Sequence, residues 1–251
     1  MTPDSRSSSV GTRLSGKAAV ITGASRGIGL AIARALASEA CNVVITGRQQ
    51  ETLARAAVGI RAVSPGEVRV LPIVCDVRDA QALEQMFATV AQEFAGLDIL
   101  ISNAGMGQAA APVEETSIEL WRDLIDINLT GTFLCTRFAI PLMRRGGTIV
   151  NILSVAAREC FPGYAPYNVS KAGVLGFTRT LRQELMPSGI RVTAITPGAT
   201  DTDIWQQMMP EAPREKMMDA ASVAALVVEA VVLSPNANLT ELALDPIGGA
   251  L

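Results

Sequence analysis

Short apolar segments alternate with longer amphipathic stretches along this chain, starting at Lys17. The apolar segments have the length of β-strands, and their nearly continuous apolar character is typical of a parallel sheet buried on both faces. Seven segments are predicted to be strands: Ala18–Thr22, Asn42–Thr46, Val68–Val74, Leu97–Ser102, Thr148–Leu153, Ile190–Thr196 and Leu239–Leu244.

The stretches between these strands have the periodicity and length of helices. The predicted helices are Ile28–Glu39, Gln49–Val63, Asp79–Phe94, Ser117–Met143, Pro166–Met186 and Ser222–Leu233. Strands and helices in alternation indicate βαβ units with right-handed crossovers. We therefore predict an α/β fold with a doubly wound parallel sheet of about seven strands flanked by helices, in which ligands bind beyond the carboxyl ends of the strands.

The domain organisation follows from where this pattern begins. Residues 1–15 are polar and rich in serine, lack the apolar core of a secretion signal, and are predicted to be a disordered tail. Residues 16–251 contain no linker and no repeat, so we predict that they form one catalytic domain.

The most restrictive feature of the composition is that none of the 251 residues is histidine. Catalysis by Ser-His-Asp or Cys-His groups is therefore excluded, as are metal sites that need imidazole, and we expect no metal. A general acid or base must instead be an Asp, Glu, Lys, Tyr or Cys side chain.

Charge and hydropathy exclude further classes of protein. The isoelectric point is near 5.2 and there is no basic cluster, which argues against nucleic-acid binding. Hydrophobic residues make up 49% of the chain, but no apolar run approaches the roughly 18 residues of a membrane helix. The four cysteines show no CxxC spacing, so we expect reduced thiols, three of them in the core, and a cytoplasmic location.

A glycine-rich turn, TGASRGIG over residues 22–29, follows the first predicted strand. Glycines allow a backbone to turn tightly and approach a pyrophosphate, and the helix that follows offers free N–H groups at its start. These features favour a nucleotide site, although an ordinary glycine-rich loop is the alternative.

The end of the second strand indicates which nucleotide would bind. It reads Gly47-Arg48, with no carboxylate before Glu51, and Arg26 of the glycine turn can approach the same place. A carboxylate there would bind a ribose 2′-hydroxyl, whereas two guanidinium groups suit a 2′-phosphate. NADP(H) is therefore expected rather than NAD(H); the alternative is that both arginines are solvated surface residues.

A candidate proton-transfer group follows the fifth predicted strand, Thr148–Leu153, and begins with Ser154. Tyr167 and Lys171 are four residues apart and would share one face of a helix. An ammonium and a cationic nicotinamide nearby would lower the pKa of the tyrosine from its ordinary value near 10, and Ser154 could hold a carbonyl or alkoxide oxygen beside it. Taken singly, a Tyr–Lys surface pair and a turn serine are the alternatives.

In this combination the chain resembles the short-chain dehydrogenase/reductase family, in its short single-domain branch and NADP-preferring type. The resemblance covers about Lys17 to Pro246. It rests on the TGxxxGIG turn, Asp76-Val77, Asn103-Ala104-Gly105, Asn128, Ser154, the YxxxK pair Tyr167 and Lys171, and Pro197-Gly198 with Thr202.

The resemblance implies a Rossmann-type fold and an NADP-dependent oxidoreductase that reduces a ketone, aldehyde or 3-oxoacyl group to an alcohol, or runs the reverse. Tyr167 would be the acid in reduction and the base in oxidation, and Ser154 would hold the substrate oxygen. Lys171 would bind the nicotinamide ribose and lower the pKa of Tyr167. Asn128 would position a water for proton relay, and with the nearby Gly131 it could mark a distortion of the long helix.

The resemblance also implies the cofactor-binding residues. They follow the carboxyl ends of the strands and are Gly23, Ser25, Arg26, Gly27, Ile28, Gly29, Arg48, Asp76, Val77, Asn103, Ala104, Gly105, Tyr167, Lys171, Pro197, Gly198, Thr200 and Thr202. Asp76 and Val77 would meet the adenine, and Asn103 and Gly105 would line the ribose and pyrophosphate.

The segment Asp203–Asp219 matches the variable lid of the family and is rich in Met and Trp, which suits an apolar carbonyl or alcohol substrate. An acyl chain on a carrier protein is also possible, and Arg158, Arg214 and Lys216 are the basic residues that could receive it. Packing of the lid onto the core is the alternative reading of its apolar residues.

The resemblance further implies a homodimer or homotetramer. A dimer through the two long predicted helices is expected, whereas Pro246 interrupts the usual end of the chain and puts the tetramer contact in doubt. Two other functions stay open at this point: a non-catalytic NADP-binding regulator on the same scaffold, and an epimerase or dehydratase of the longer branch.

Overall fold

Seven parallel strands form a single sheet in the computed structural model, which describes residues 13–234 and 236–249. Their order is β3-β2-β1-β4-β5-β6-β7, so the direction in which the chain adds strands reverses between β1 and β4. The strands are β1 Ala18–Ile21, β2 Asn42–Gly47, β3 Val70–Val74, β4 Leu97–Ser102, β5 Met143–Ile152, β6 Arg191–Pro197 and β7 Glu241–Leu244. All seven predicted strands are confirmed.

Helices connect these strands and cover both faces of the sheet. They are α1 Gly27–Ser38, α2 Gln50–Arg61, α3 Ala80–Phe94, α4 Ile118–Ile125, α5 Gly131–Ala139, α6 Ala165–Leu185, α7 Trp205–Met208 and α8 Ala220–Val232. The side chain of Asp79 accepts hydrogen bonds from the N–H groups of Gln81 and Ala82, which confirms that this residue opens α3.

Side chains of each central strand enter two separate cores in alternation. Ile21 and Ile101 pack beneath α1, α2 and α8, whereas Val20 and Leu100 pack beneath α3, α5 and α6. Burial on both faces explains why the strands carry almost uninterrupted apolar runs. The expected fold, a doubly wound parallel sheet of seven strands in one domain, is confirmed.

The long helix predicted over Ser117–Met143 is wrong in its continuity and in its end. It is broken into α4, a π-helical segment at Asp126–Thr130, and α5, which ends at Ala139. Pro141 lies in a short 3₁₀ turn, because its ring cannot continue an α-helix. Strand β5 consequently begins at Met143, before the predicted start at Thr148. The expected distortion near Asn128 is confirmed by the π-helical segment.

The amino-terminal boundary also differs from the prediction. Residues 1–12 lie outside the described part of the chain, but Arg13 and Leu14 already belong to the packed structure. Leu14 is buried, and Arg13 forms ion pairs with Glu39 on the one side and Glu229 on the other. The predicted tail of 15 residues is therefore too long at its end, since these contacts join segments that the local sequence does not connect.

Candidate active site

A cleft of about 490 Å³ lies at the carboxyl ends of β1 to β6, where the strand order reverses. Residues from the loops that follow these strands line it, as expected for a doubly wound sheet. Of the predicted site residues, all but two line the cleft: Gly23, Ser25, Arg26, Gly27, Ile28, Arg48, Asp76, Val77, Asn103, Ala104, Gly105, Ser154, Tyr167, Lys171, Pro197, Gly198, Thr200 and Thr202. The exceptions, Gly29 and Asn128, lie directly behind its wall.

The glycine turn comes so close to the loop after β4 that side chains would not fit. A Cβ atom on Gly23 would lie 2.8 Å from the Cα atom of Ala104, and Gly23 also has a positive φ of 64°. A Cβ on Gly29 would lie 2.4 Å from the Nδ2 atom of Asn103. Gly29 therefore packs the turn against β4 rather than facing the cleft.

The side chain of Asn103 also holds the glycine turn against the loop after β4. Its side-chain amide donates hydrogen bonds to the carbonyl oxygens of Thr22 and Gly23, at 2.9 and 3.2 Å. The hydroxyl of Thr22 in turn accepts from the backbone N–H groups of Asn103 and Ala104, both at 3.0 Å. Asn103 lines the cleft, but its side chain holds two loops together.

The start of α1 fits the diphosphate of a dinucleotide. Gly27 has a positive φ of 55°, and the side chain of Arg26, the N-cap residue, makes no capping hydrogen bond. The free N–H groups of this first turn and the positive end of the helix dipole both lie at the end of α1 that lines the cleft. A diphosphate needs a glycine-rich turn that the ligand can approach closely and a helix start whose N–H groups are free to donate to it.

Three arginines line the same end of the cleft, and their partners differ. Arg26 forms an ion pair with Asp203 at 3.4 Å, so this arginine is engaged with the lid segment rather than with Arg48. Among the described residues, the side chain of Arg48 has no hydrogen bond or ion pair. A third arginine, Arg78, was not singled out from the sequence; it binds Asp76 and also Asp123 of α4.

Ser154, Tyr167 and Lys171 come together at the opposite end of the cleft. Ser154 follows β5, and its Oγ atom accepts a hydrogen bond from the backbone N–H of Ala156 at 3.2 Å, while Tyr167 lies near the start of α6 and lines the same cleft. One turn later, the Nζ atom of Lys171 donates to the carbonyl oxygen of Ile152 at 3.2 Å and lies 5.7 Å from the centroid of the Tyr167 ring. Both Tyr167 and Lys171 are buried.

Burial decides the pKa values of the two titrating groups in the protein by itself. It raises the pKa of Tyr167, and the nearby Ser154 offsets this only partly; the lowering expected from Lys171 together with a cationic nicotinamide stays a prediction. Burial also lowers the pKa of Lys171 to about 8. Removal from water disfavours the charged form of both groups, and at 5.7 Å the ammonium does not reverse this effect on the phenol.

Asn128 supports this end of the cleft from behind. Its Oδ1 atom accepts from the backbone N–H of Met106, and its Nδ2 atom donates to the carbonyl of Met106 and to the hydroxyl of Ser170. A Cβ on Gly105 would lie 3.2 Å from this Oδ1 atom and 3.7 Å from the Nζ atom of Lys171. Asn128 and Lys171 are therefore neighbours, although the side-chain amide of Asn128 is taken up by its partners.

The substrate end of the cleft is apolar. Phe161, Tyr164 and Met106 face the lid residues Ile204 and Met208, and the Tyr164 hydroxyl donates to the carbonyl oxygen of Met208 at 3.2 Å. Met106, Asp123, Ile127 and Gln207 line the cleft but were missed from the sequence, because they lie beside the motifs on helices and loops without a signal of their own.

Several residues expected near the substrate lie elsewhere. Met217 and Met218 of the lid segment do not line the cleft, and neither does Cys160. Arg158 pairs with Glu241 of β7, and Arg214 pairs with Asp201 at 2.6 Å. The free cysteines follow the prediction, with three buried and Cys160 exposed.

Neither a membrane-spanning helix nor a metal-binding cluster is found among the described residues. No helix in residues 13–234 and 236–249 has the length and apolar character to span a membrane. Within the same part of the chain, no cluster of three or more acidic or cysteine side chains is arranged to hold a metal ion.

Comparison with known proteins gives consistent matches. A family described as "short chain dehydrogenase" matches residues 17–213. The 3-oxoacyl-[acyl-carrier-protein] reductase of Synechocystis sp. is 39% identical over 202 residues, which cover 80% of this chain and 81% of that protein.

Solved structures are similar over almost the whole chain. A short chain dehydrogenase from Burkholderia cenocepacia in complex with NADP has a TM-score of 0.85 and 33% identity, covering 94% of this chain and 98% of that one. An alcohol dehydrogenase from the archaeon Thermococcus sibiricus, complexed with 5-hydroxy-NADP, has a TM-score of 0.84 and 30% identity over 92% of this chain and 97% of that one.

Proposed function

The chain belongs to the short chain dehydrogenase family, and we propose that it is an NADP(H)-dependent oxidoreductase that interconverts a carbonyl compound and an alcohol. The observation that carries this proposal is the buried group of Ser154, Tyr167 and Lys171 at one end of a cleft whose other end suits a dinucleotide. These three side chains can transfer a proton without a histidine.

The proposed mechanism assigns one task to each side chain. The nicotinamide, when bound, would supply the hydride in reduction and accept it in oxidation. Ser154 holds the substrate oxygen by a hydrogen bond, and Tyr167 donates its hydroxyl proton to that oxygen in reduction. The ammonium of Lys171 stabilises the phenolate that remains. Asn128 acts as a positioning residue, because it anchors Met106 and the π-helical segment beside Lys171.

The preference for NADP(H) over NAD(H) rests mainly on Arg48. This guanidinium lines the cleft at the end of β2, where a 2′-phosphate is bound in members that prefer NADP, and it has no partner among the described residues. Arg26 would contribute only after leaving Asp203. The relatives complexed with NADP and 5-hydroxy-NADP support the same choice.

The proposed substrate is an uncharged carbonyl compound with an apolar body, since Phe161, Tyr164 and Met208 surround the space beside Tyr167. A 3-oxoacyl group belongs to the same chemical class and is the substrate named for a relative. Two of the basic residues that could receive an acyl carrier, Arg158 and Arg214, are already paired with carboxylates. We also propose that the protein is cytoplasmic and forms a homo-oligomer.

The chain has only two tyrosines, which gives a matched test of the mechanism. Turnover should be measured by NADPH oxidation with aldehydes, ketones, steroids, quinones and acyl thioesters. Tyr167→Phe should lose about 10²- to 10⁴-fold in kcat, the usual contribution of a positioned general acid, while NADPH still binds. Tyr164→Phe loses a hydroxyl from the same cleft and should change KM more than kcat.

Two outcomes would contradict this proposal in different ways. Near-normal turnover of Tyr167→Phe on an established substrate would show that the proton comes from elsewhere. Tight binding of NADPH without any oxidation across the whole panel would favour the non-catalytic regulator instead.

A further inference from the structure

Arg78 occupies a position that neither the motifs nor the proposed reaction explains. It follows Asp76 and Val77 at the end of β3 and lines the cleft. Its Nη2 atom lies 2.7 Å from the Oδ2 atom of Asp76, and its Nε atom lies 3.2 Å from both carboxylate oxygens. Its Nη1 atom lies 3.1 Å from the Oδ1 atom of Asp123 on α4. One guanidinium therefore joins the loop after β3 to α4 across the rim of the cleft.

These contacts fix both the direction and the charge of Asp76. The backbone N–H of Arg78 adds a further hydrogen bond to the Oδ1 atom of Asp76, at 3.0 Å. The guanidinium holds the pKa of Asp76 below its ordinary value, so the carboxylate stays ionised at neutral pH. An ionised carboxylate has about four acceptor positions, and the backbone N–H, Nε and Nη2 donors of Arg78 use three of them, so about one is left for a hydrogen bond from a ligand.

The chemistry of this corner suits a planar ring that carries an amine. Val77 and Ile127 supply apolar surface on the cleft wall, and Asp76 supplies a fixed acceptor. A guanidinium whose edge donors are bound to carboxylates keeps its flat faces for an aromatic ring. Adenine has both properties, whereas a nicotinamide or a sugar lacks an aromatic amine.

The same contacts argue that Arg78 does not bind the 2′-phosphate. Its Nε, Nη1 and Nη2 donors are directed at two carboxylates. Arg48 is close enough to Asp76 to help lower the pKa of that carboxyl, and it has no hydrogen bond or ion pair among the described residues, so its donors are the ones free for a phosphate.

We propose that Arg78 is a positioning residue for the adenine end of the cofactor site, that it holds Asp76 toward the adenine amine, and that Asp123 acts through Arg78. The proposal rests on the proposed function, since it requires a dinucleotide in the cleft. It extends that function by assigning the positioning of adenine to Arg78 and the binding of the 2′-phosphate to Arg48.

The test compares ligands that share or lack adenine, on the full-length protein. Arg78→Met keeps the aliphatic stem and removes the guanidinium. The Kd values of NADPH, NADH and ADP-ribose should all rise by about tenfold, the effect of losing a charge-assisted hydrogen-bond arrangement, and their ratios should stay constant. Turnover with reduced nicotinamide mononucleotide, which has no adenosine, should be unchanged, as should kcat at saturating NADPH.

Two other arginines provide the controls. Arg48→Ser should weaken NADPH binding more than NADH binding and so change the ratio that Arg78→Met preserves. Arg69 forms an exposed pair with Glu93 near the start of β3, at the other end of that strand. Arg69→Met should leave all five measurements unchanged.

A double-mutant cycle tests the role of Asp123. Asp123→Asn alone should raise the Kd of both dinucleotides by a few-fold, about the effect of one exposed hydrogen bond. The same change should have no effect in the Arg78→Met background, and Arg78→Lys should recover part of the affinity. An effect of Asp123→Asn that persists without Arg78 would overturn this part of the proposal.

The outcomes separate this inference from the proposed function. Wild-type protein that binds neither NADPH nor NADH would overturn both. Wild-type binding together with an unaffected Arg78→Met variant would overturn only the role of Arg78, as would a loss confined to NADPH. A loss of activity with reduced nicotinamide mononucleotide as large as the loss with NADPH would show a general disturbance of the cleft and would also overturn it.

Discussion

At the scale of single residues, burial acts in opposite directions on the two groups that would move the proton. It raises the pKa of Tyr167 and lowers the pKa of Lys171 to about 8, so near neutral pH the tyrosine is neutral and the lysine still mostly charged. Tyr167 therefore keeps its proton ready for a substrate oxygen. Lys171 holds most of its positive charge below pH 8 and loses it above that value.

This arrangement predicts how carbonyl reduction depends on pH. The kcat/KM value should be high and nearly constant around pH 6 to 7 and should fall as the pH rises through about 8, because Lys171 loses its charge. Lys171 interacts with Tyr167, so the apparent pKa belongs to the pair. Initial rates at substrate concentrations well below KM across this range would measure it.

Substitutions identify the group that titrates. Lys171→Arg keeps a positive charge at all these pH values and should move the fall in rate to higher pH. Lys171→Met should leave a low rate that no longer falls near pH 8, whereas Cys160→Ser, outside the cleft wall, should leave the profile intact. A profile that is the same in Lys171→Met and in the wild type would contradict the assignment.

At the scale of elements, the break between α4 and α5 places several parts of the site at once. The π-helical segment turns Asn128 toward Met106 and Ser170. Directly after it, Gly131 lets α5 approach Val77, whose Cγ2 atom would lie 2.7 Å from a Cβ at position 131. The packing of α5 against Val77 therefore depends on the absence of a side chain at position 131.

Two helical glycines give a matched prediction about this packing. Alanine favours a helix by about 1 kcal/mol over glycine. At Gly131 the added methyl meets Val77, which is buried and branched and has no room to move, so Gly131→Ala should cost about 1–3 kcal/mol as an overpacked site does. At Gly59 the methyl would lie equally close, 2.7 Å, to the flexible end of Arg34.

Gly59→Ala should therefore be neutral or stabilising by up to about 1 kcal/mol. Urea denaturation of both variants, followed by far-UV circular dichroism, would measure the two changes in the free energy of unfolding. Equal stabilisation of both variants would show that α5 has more space beside Val77 than the contact indicates.

Much of the element level was predictable because it depends on local signals. All seven strands follow from their apolar runs, and α3 begins where Asp79 predicts. The end of α5 was not predicted, although Pro141 is a local signal, because the apolar periodicity continues past it into β5. Arg78 and Asp123 were missed because the signal is a contact between two residues that are 45 positions apart.

At the scale of the whole molecule, apolar side chains of α5 and α6 are left uncovered in the described chain. The helices α5 and α6 lie side by side, and the rings of Phe133 and Phe177 contact each other with centroids 6.0 Å apart. Phe133 and Val169 are 42% and 46% exposed. This α5–α6 face corresponds to the helices expected to form a dimer.

We therefore predict a dimer through the α5–α6 face. Val169→Arg should convert it to a monomer, because a like charge would be buried opposite itself across a twofold axis. Val58 of α2 is also exposed, at 66%, and lies on another side, so Val58→Arg should leave the mass unchanged. Light scattering coupled to size exclusion would measure both; a monomeric wild type, or a Val169→Arg variant of unchanged mass, would contradict the prediction.

The sequence by itself determined the order of the strands and helices and the positions of the motif residues. These follow from local periodicity and from the rule that loops at the carboxyl ends of parallel strands meet at one edge. The tertiary structure decided which charges pair. Arg26 binds Asp203, which is 177 positions away, and this leaves Arg48 as the arginine without a partner among the described residues.

Only the tertiary structure also decided the direction of the pKa shift at Tyr167. The spacing of Tyr167 and Lys171 indicated that the two side chains share a helix face, and a lowered pKa was expected where a cationic nicotinamide joins the ammonium. In the protein by itself the shift depends on how completely both groups are removed from water, and loops and helices from distant parts of the described chain produce that removal.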